Sequence, residues 1–342
     1  MTCFVYCIFS LCVFGITEAK DFVTASFSIP NVTTVALIFM KTFITYYHKE
    51  KIWGICQELK AIFTRHEESQ IKKNLIQAYF SEYILEIRIY GCICVFVFVP
   101  IAFPIYKYIA YGTMEFTVDY WFPFDEYNPR LYPIALLFIV FVCYHFLTYL
   151  LATDAILFVI MKILAMEFHI LRIDFENLKL IKSDELKNKL ESLINHHQKL
   201  LDCGDDLQDI YELMFFYNFG ISALILCVLA FQLLFANDAN AYTFVISYFL
   251  LIAGQAFILC LNGQKVADNS MKVAEGAYFN GWEDFHCNKI MKQNFFIILR
   301  SQRAKQLTAM GFADISLSSF AQIITTTWSY FSLLKRVSSY DD

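Results

Sequence analysis

The sequence predicts an all-α polytopic membrane protein: seven transmembrane helices, a cytoplasmic N-terminus, an extracellular C-terminus and a helical bundle on the cytoplasmic side. Composition, apolar runs and the placement of positive charge predict it. Of 342 residues, 58% are hydrophobic and 17% charged, with 36 Phe and 21 Tyr. Soluble domains are nearer half apolar and a quarter charged. A mean hydropathy of +0.49 leaves too little polar surface to cover such a chain in water. A soluble enzyme, a disordered chain and a secreted disulfide domain are disfavoured on that ground. The net charge of −5 offers no basic face for nucleic acid.

Charge-free stretches occur at residues 2–17, 22–40, 89–106, 131–153, 213–237, 239–264 and 315–334, near the length of about 20 residues that crosses a bilayer. The second is polar before Val32, so its helix is expected to run over residues 32–47 and to carry Lys41. The first is short, with Met1 almost inside it, and is read as a helix whose N-terminal part and preceding cytoplasmic segment are missing.

Orientation follows from Lys and Arg, which favour cytoplasmic loops. Residues 48–80 hold six, 161–206 seven and 263–311 seven; the alternate connections 17–31, 107–130 and 237–241 hold one, two and none. The sequon Asn31-Val32-Thr33 then falls in an outer loop, which makes Asn31 a glycosylation candidate. None of the eleven cysteines lies in an outer loop, so no structural disulfide is expected.

The expected organisation is residues 1–160 for the first four helices, 161–212 for cytoplasmic extensions, 213–264 for the fifth and sixth, 265–312 for cytoplasmic anchor helices, 313–337 for the seventh, and 338–342 for a short outer tail. All six prolines lie between Pro30 and Pro133, which permits long unbroken helices afterwards. Leu164, Phe168, Leu171, Phe175 and Leu178 recur at helical spacing, as do Leu186, Leu190, Leu193, His197 and Leu200. These stripes and residues 278–303 should build the cytoplasmic bundle and hold subunits together, so a charge at Leu193 or Leu200 is expected to weaken assembly.

Catalytic signals are thin. There is no Walker loop, Gly-x-Ser-x-Gly or His-Glu-x-x-His. The adjacent His196 and His197 point about 100° apart on a helix and cannot clasp one metal as i, i+4 residues would. Asp202, Cys203, Asp205 and Asp206 read as a solvated helix end. No enzyme activity, metal or cofactor is expected. His145 and Asp154 lie in or beside the fourth span, where an ionisable group invites a functional reading or a structural pairing. The outer loop reads Tyr120-Trp121-Phe122-Pro123-Phe124-Asp125, suited to an interfacial anchor or to a lid over an outer cavity.

The last helix is the most informative stretch. Residues 317–336 make about 30 Å of helix, which matches the bilayer core. One face carries Gln322, Thr326, Ser329, Leu333 and Val337. Around a symmetry axis that stripe would make a wet conduit closed by aliphatics; the alternative is ordinary packing through small polar residues. Arg336 lies about 60° from Leu333 on a helix of 3.6 residues per turn, close enough to border the opening. It either places a positive ring there or snorkels to headgroups with Lys335.

The run Ser301-Gln302-Arg303-Ala304-Lys305, then Ser316-Leu317-Ser318-Ser319-Phe320, then Trp328-Ser329-Tyr330-Phe331-Ser332-Leu333-Leu334 resembles the C-terminal signature of the insect odorant receptor family. Cys260, Gly263-Gln264, Ser270, Ala277-Tyr278, Trp282, His197 with Leu200-Leu201, and Trp121-Phe122-Pro123-Phe124-Asp125 fit the same family. The resemblance runs over about residues 32–336, and the chain departs from the family at its shortened front. It implies an odorant-gated non-selective cation channel in the plasma membrane of olfactory sensory neurons. It further implies a heterotetramer with a common co-receptor, and small volatile hydrophobic odorants bound in the outer half of each subunit. The last helix would line the pore, gated at Leu333 and Val337. With no long insertion after the fourth span, the chain resembles a tuning subunit. The related gustatory receptors end in Thr-Tyr and Gln-Phe, which this chain lacks; they are the alternative, with a secondary transporter a more distant one. The outer-half residues expected near the odorant are Val35 and Phe39, Phe96 and Phe103, Phe138 and Phe141, and Tyr242, Val245 and Phe249.

Overall fold

The structure is a computed structural model that describes residues 22–63, 70–117, 121–180, 183–235, 239–285 and 287–338. The first expected span, residues 2–17, lies outside the described residues. The helices are α1 (Phe22–Tyr47), α2 (Lys49–Phe63), α3 (Gln70–Phe96), α4 (Phe98–Tyr111), α5 (Tyr132–Glu176), α6 (Ser183–Phe235), α7 (Ala239–Tyr278), α8 (Asn288–Ser301) and α9 (Leu317–Ser338). Among the described residues, five helical segments are long and apolar enough to cross a membrane: Ile29–Tyr47, Gln70–Tyr111, Tyr132–Leu180, Glu185–Leu234 and Ala239–Tyr278. The protein is an all-α membrane protein.

α1 begins ten residues before the expected Val32. The helix runs unbroken through that polar start, and just past it the Thr33 hydroxyl donates back to the Ile29 carbonyl at 2.7 Å. The expected third span is interrupted at Val97, between α3 and α4. Pro100 follows three residues later, lacks an N–H and crowds the carbonyl of Phe96, which explains the interruption.

At 1.5 Å per residue, α5, α6 and α7 run about 60–80 Å, roughly twice a bilayer core of about 30 Å. Their amphipathic ends therefore project beyond it. The divisions expected at 160/161, 212/213 and 264/265 fall inside these continuous helices. Both apolar stripes turn inward: Phe168, Leu171, Phe175, Leu190 and Leu200 are fully enclosed, and Leu193 and His197 are buried. Leu193 and Leu200 thus face the core of their own chain. A charge at either would disrupt this bundle before it touched a neighbouring subunit, which corrects the assembly role expected of them. α5 and α7 approach so closely that a Cβ on Gly276 would lie 3.0 Å from the Arg172 carbonyl carbon, and nearer its oxygen.

A two-stranded hairpin was not legible as such. β1 (Thr308–Ala309) and β2 (Ala313–Asp314) pair antiparallel, Thr308 opposite Asp314. Met310 and Gly311 turn it at positive φ, 52° and 74°; glycine accepts that conformation readily. Gln208 on α6 holds the first strand by accepting from the Thr308 N–H at 2.8 Å and donating to its carbonyl at 3.0 Å. The Lys305 N–H donates to Ser270 at 2.8 Å, and the Lys305 ammonium pairs with Asp205. The hairpin therefore fixes where α9 starts relative to α6 and α7.

Candidate functional site

The end of the helices near residues 112–131 is closed by aromatic rings. Phe122 is 8% exposed, its ring 5.2 Å from Phe124 and 5.8 Å from Phe138; Phe116 lies 5.0 Å from Tyr132. The Tyr132 hydroxyl donates to the Glu115 carbonyl at 2.7 Å, and Thr117 to the Pro100 carbonyl at 2.8 Å. The loop is tied down onto the helix ends, with Trp121 partly exposed.

In this half of the protein, α1, α4, α5 and α7 enclose a cavity of about 70 Å³. Its walls are chiefly apolar: Val35 and Ile38, Val97 and Ile101, Phe146, Leu147 and Leu150, Phe244 and Leu251. Polar groups come from Asn31, Thr34 and Tyr248, the last donating to the Pro30 carbonyl at 3.2 Å; Asn31 thus lies within α1 and on a cavity wall, not in the outer loop expected of a glycosylation site. An apolar wall with a few fixed polar groups is the chemistry of a small-molecule site, but the space is well below the roughly 300 Å³ at which such sites begin, so a ligand would enter only as these helices part.

A charged cluster lies one helical turn below. Lys41 follows Ile38, Asp154 follows Leu150 and Gln255 follows Leu251 by three or four residues. The Lys41 ammonium lies 2.7 Å from Asp154 Oδ1. Tyr90 and Gln255 donate to Oδ2 at 2.9 and 2.8 Å. All four are at most 2% exposed. One carboxylate thus joins α1, α3, α5 and α7, and the bonds from Tyr90 and Gln255 offset part of the cost of burying it. The sequence signal was available, since both charges sit inside apolar runs. Their pairing across 113 residues was not legible in it. Further along, Lys162 pairs with Glu86 and Lys265 with Glu82, both at 2.6 Å.

The structure does not gather the nine expected ligand residues around one cavity. Val35 lines the cavity described above. Val245 and Phe249 line another, between α6, α7 and α9. Phe39 stacks near Phe43, with centroids 6.4 Å apart, and Phe138 packs against Phe122. Phe96, Phe103, Phe141 and Tyr242 expose 38–51% of their surface and point out of the chain. Ile38, Phe146 and Leu150, missed in the sequence, line the cavity because helix rotation selects them. On α9, Gln322, Ser329 and Leu333 are exposed and Thr326 half-buried, while Ile323 and Thr327 are buried. The side chains of Arg336 and Val337 lie outside the described residues.

A family model described as 7tm Odorant receptor matches residues 21–328. The chain belongs to the seven-transmembrane odorant receptor family. The receptor is 27% identical over 240 residues to Odorant receptor 13a of Drosophila melanogaster, covering 65% of this chain and 57% of that one. It is 23% identical over 312 residues to Putative odorant receptor 92a of the same species, covering 86% and 74%. The chain thus spans little more than half the length of the first relative. Its fold matches the insect olfactory receptor OR5 from Machilis hrabei in complex with eugenol, with a TM-score of 0.86 at 17% identity, covering 98% of this chain and 87% of that one.

Proposed function

We propose that this receptor is the tuning subunit of an odorant-gated, non-selective cation channel of the plasma membrane, assembled as a heterotetramer with a co-receptor. A small volatile hydrophobic odorant occupies the cavity between α1, α4, α5 and α7 and shifts the position of α9. The carrying observation is the sidedness of α9: its polar stripe is turned away from the chain's own core, while Ile323 and Thr327 pack inward. A lone lipid-facing helix gains nothing from aligned Gln, Thr and Ser. Four copies around an axis gain a hydrated path that Leu333 and Val337 close by dewetting. Exposed Phe295, Phe296 and Leu299 on α8 supply apolar surface for subunit contact outside the membrane, where burial from water drives association.

A secondary transporter would carry paired charges at mid-membrane. The Lys41–Asp154 pair meets that description but is sealed by four helices and lines neither cavity, so it reads as structural.

The test is odorant-evoked cation current in cells expressing the receptor with a co-receptor, beside Leu333→Ala and Arg336→Gln. Leu333→Ala is expected to leak without odorant, and Arg336→Gln to raise cation conductance, because a ring of positives opposes cations. Variants that reach the surface with wild-type currents would remove α9 from the permeation path.

A further inference from the structure

A ligand enters the cavity between α1, α4, α5 and α7 only as these helices part. Three of them, α1, α5 and α7, are tied together one turn away, where Lys41 and Gln255 meet Asp154. That tie resists opening. Separating Lys41 from Asp154 would leave two buried ions unpaired among apolar side chains, at membrane depth. Helices wedged apart beside such a point turn about it instead of separating along their whole length. α7 is built to carry the turn, being one unbroken helix from Ala239 to Tyr278. Its Leu251 lines the cavity and its Gln255 bonds Asp154. Beyond that point the Phe257 ring lies 5.4 Å from Phe320 of α9. Gly263 sits so close to Ile315, just before α9, that a Cβ there would overlap it. Leu251 to Gly263 is about 18 Å of helix.

We propose, resting on the odorant-gated channel described above, that Asp154 is the fulcrum of gating, α7 the lever and Gln255 the link between them. An odorant that pushes α7 outward at Leu251 swings its inner half the opposite way about Gln255. Phe257 and Gly263 pass that swing to Phe320 and Ile315, and so to α9. Gln255 lines neither cavity and acts as a positioning residue. Its amide donates to Asp154 at 2.8 Å, while its Oε1 is buried without a hydrogen-bond partner. Gln255→Met keeps the unbranched length, cuts that one bond and also removes the unpaired oxygen, so the fold should tolerate it. Tyr90→Phe removes a bond of similar length to the same carboxylate oxygen, 2.9 Å, but from α3, which lines neither cavity.

The test expresses the full chain with a co-receptor and applies a panel of volatile alcohols, esters and phenols. The panel member that gives the wild type its largest current is then used on each variant, with current divided by receptor at the cell surface. Coupling between two sites is typically about 5- to 150-fold, so Gln255→Met should lose about tenfold in maximal current. Its half-maximal concentration should not rise, because the cavity walls are untouched and part more easily. Tyr90→Phe should keep both values. Gln255→Leu makes the same cut with a second side chain, so poor surface expression of one leaves the other to decide. A purely structural tie would lower surface level and leave current per receptor unchanged. That result, or an equal loss in Gln255→Met and Tyr90→Phe, would overturn the lever while leaving odorant gating intact. Loss of both Gln255 variants from the surface would make Gln255 a folding residue and overturn it too. A wild type silent to the whole panel would instead remove the proposed function, and the lever with it.

Discussion

Asp154→Asn is expected to destabilise the receptor by about 3–5 kcal/mol, the usual consequence of leaving one buried charge without its partner. Lys41 would keep its ammonium in a fully enclosed position, with an amide oxygen in place of the carboxylate that now lies 2.7 Å away. Lys41→Met should cost a similar amount for the opposite reason. It leaves a carboxylate bonded to Tyr90 and Gln255 but uncompensated in charge. The double variant Lys41→Met, Asp154→Leu removes both charges and should recover most of the loss, since apolar replacement of a buried pair is often neutral or stabilising. Thermal unfolding of the four purified proteins in detergent checks this. Single variants as stable as the wild type would show that the pair is not what joins α1 to α5.

Gly263→Ala is expected to have the second large effect. A Cβ there would lie 2.7 Å from Ile315 Cγ2 and nearer still to the Ile315 carbonyl oxygen. Ile315 is 2% exposed and its N–H donates to the Leu307 carbonyl at 2.8 Å, so it has little room to retreat. Overpacking of this kind costs about 1–3 kcal/mol, and the displaced segment is the one that launches α9. Gly220→Ala is the control. Nothing lies within 4 Å of its Cβ, and alanine improves on glycine in a helix by up to about 1 kcal/mol. Melting temperatures should therefore fall for the first and hold or rise for the second. Equal behaviour would contradict the close approach at Gly263.

The fold was largely legible because its signals are one-dimensional. Runs of apolar residues marked the helices. Spacings of three and four marked Leu164 to Leu178 and Leu186 to Leu200, all of them buried. Less was legible where two distant segments decide the outcome. Lys41 and Asp154 each stood out, but only the packing of α1 on α5 pairs them. The hairpin before α9 rests on Gln208, a full 100 residues away. The outer-half aromatics show the limit most clearly. Val35 and Val245 both proved to line cavities, yet different ones, whereas Phe103 and Phe141 point outward. A sequence states how apolar a membrane helix is all round. It does not state which side meets lipid, because lipid and protein interior are equally apolar.

The cavity between α1, α4, α5 and α7 is proposed to select the odorant that opens α9. Its most direct test is the size preference of Val35→Ala, read as dose–response curves of odorant-evoked current for a homologous series of aliphatic alcohols, with a co-receptor present. Val35 lines the cavity and is 4% exposed, so its truncation enlarges the space by about two methyl groups. Each buried methylene is worth about 0.8 kcal/mol, or roughly fourfold in affinity. The preferred alcohol should lengthen by one or two carbons, and the former best ligand should weaken about fourfold or more. An unchanged length preference in a variant that still conducts would show that the odorant is recognised elsewhere.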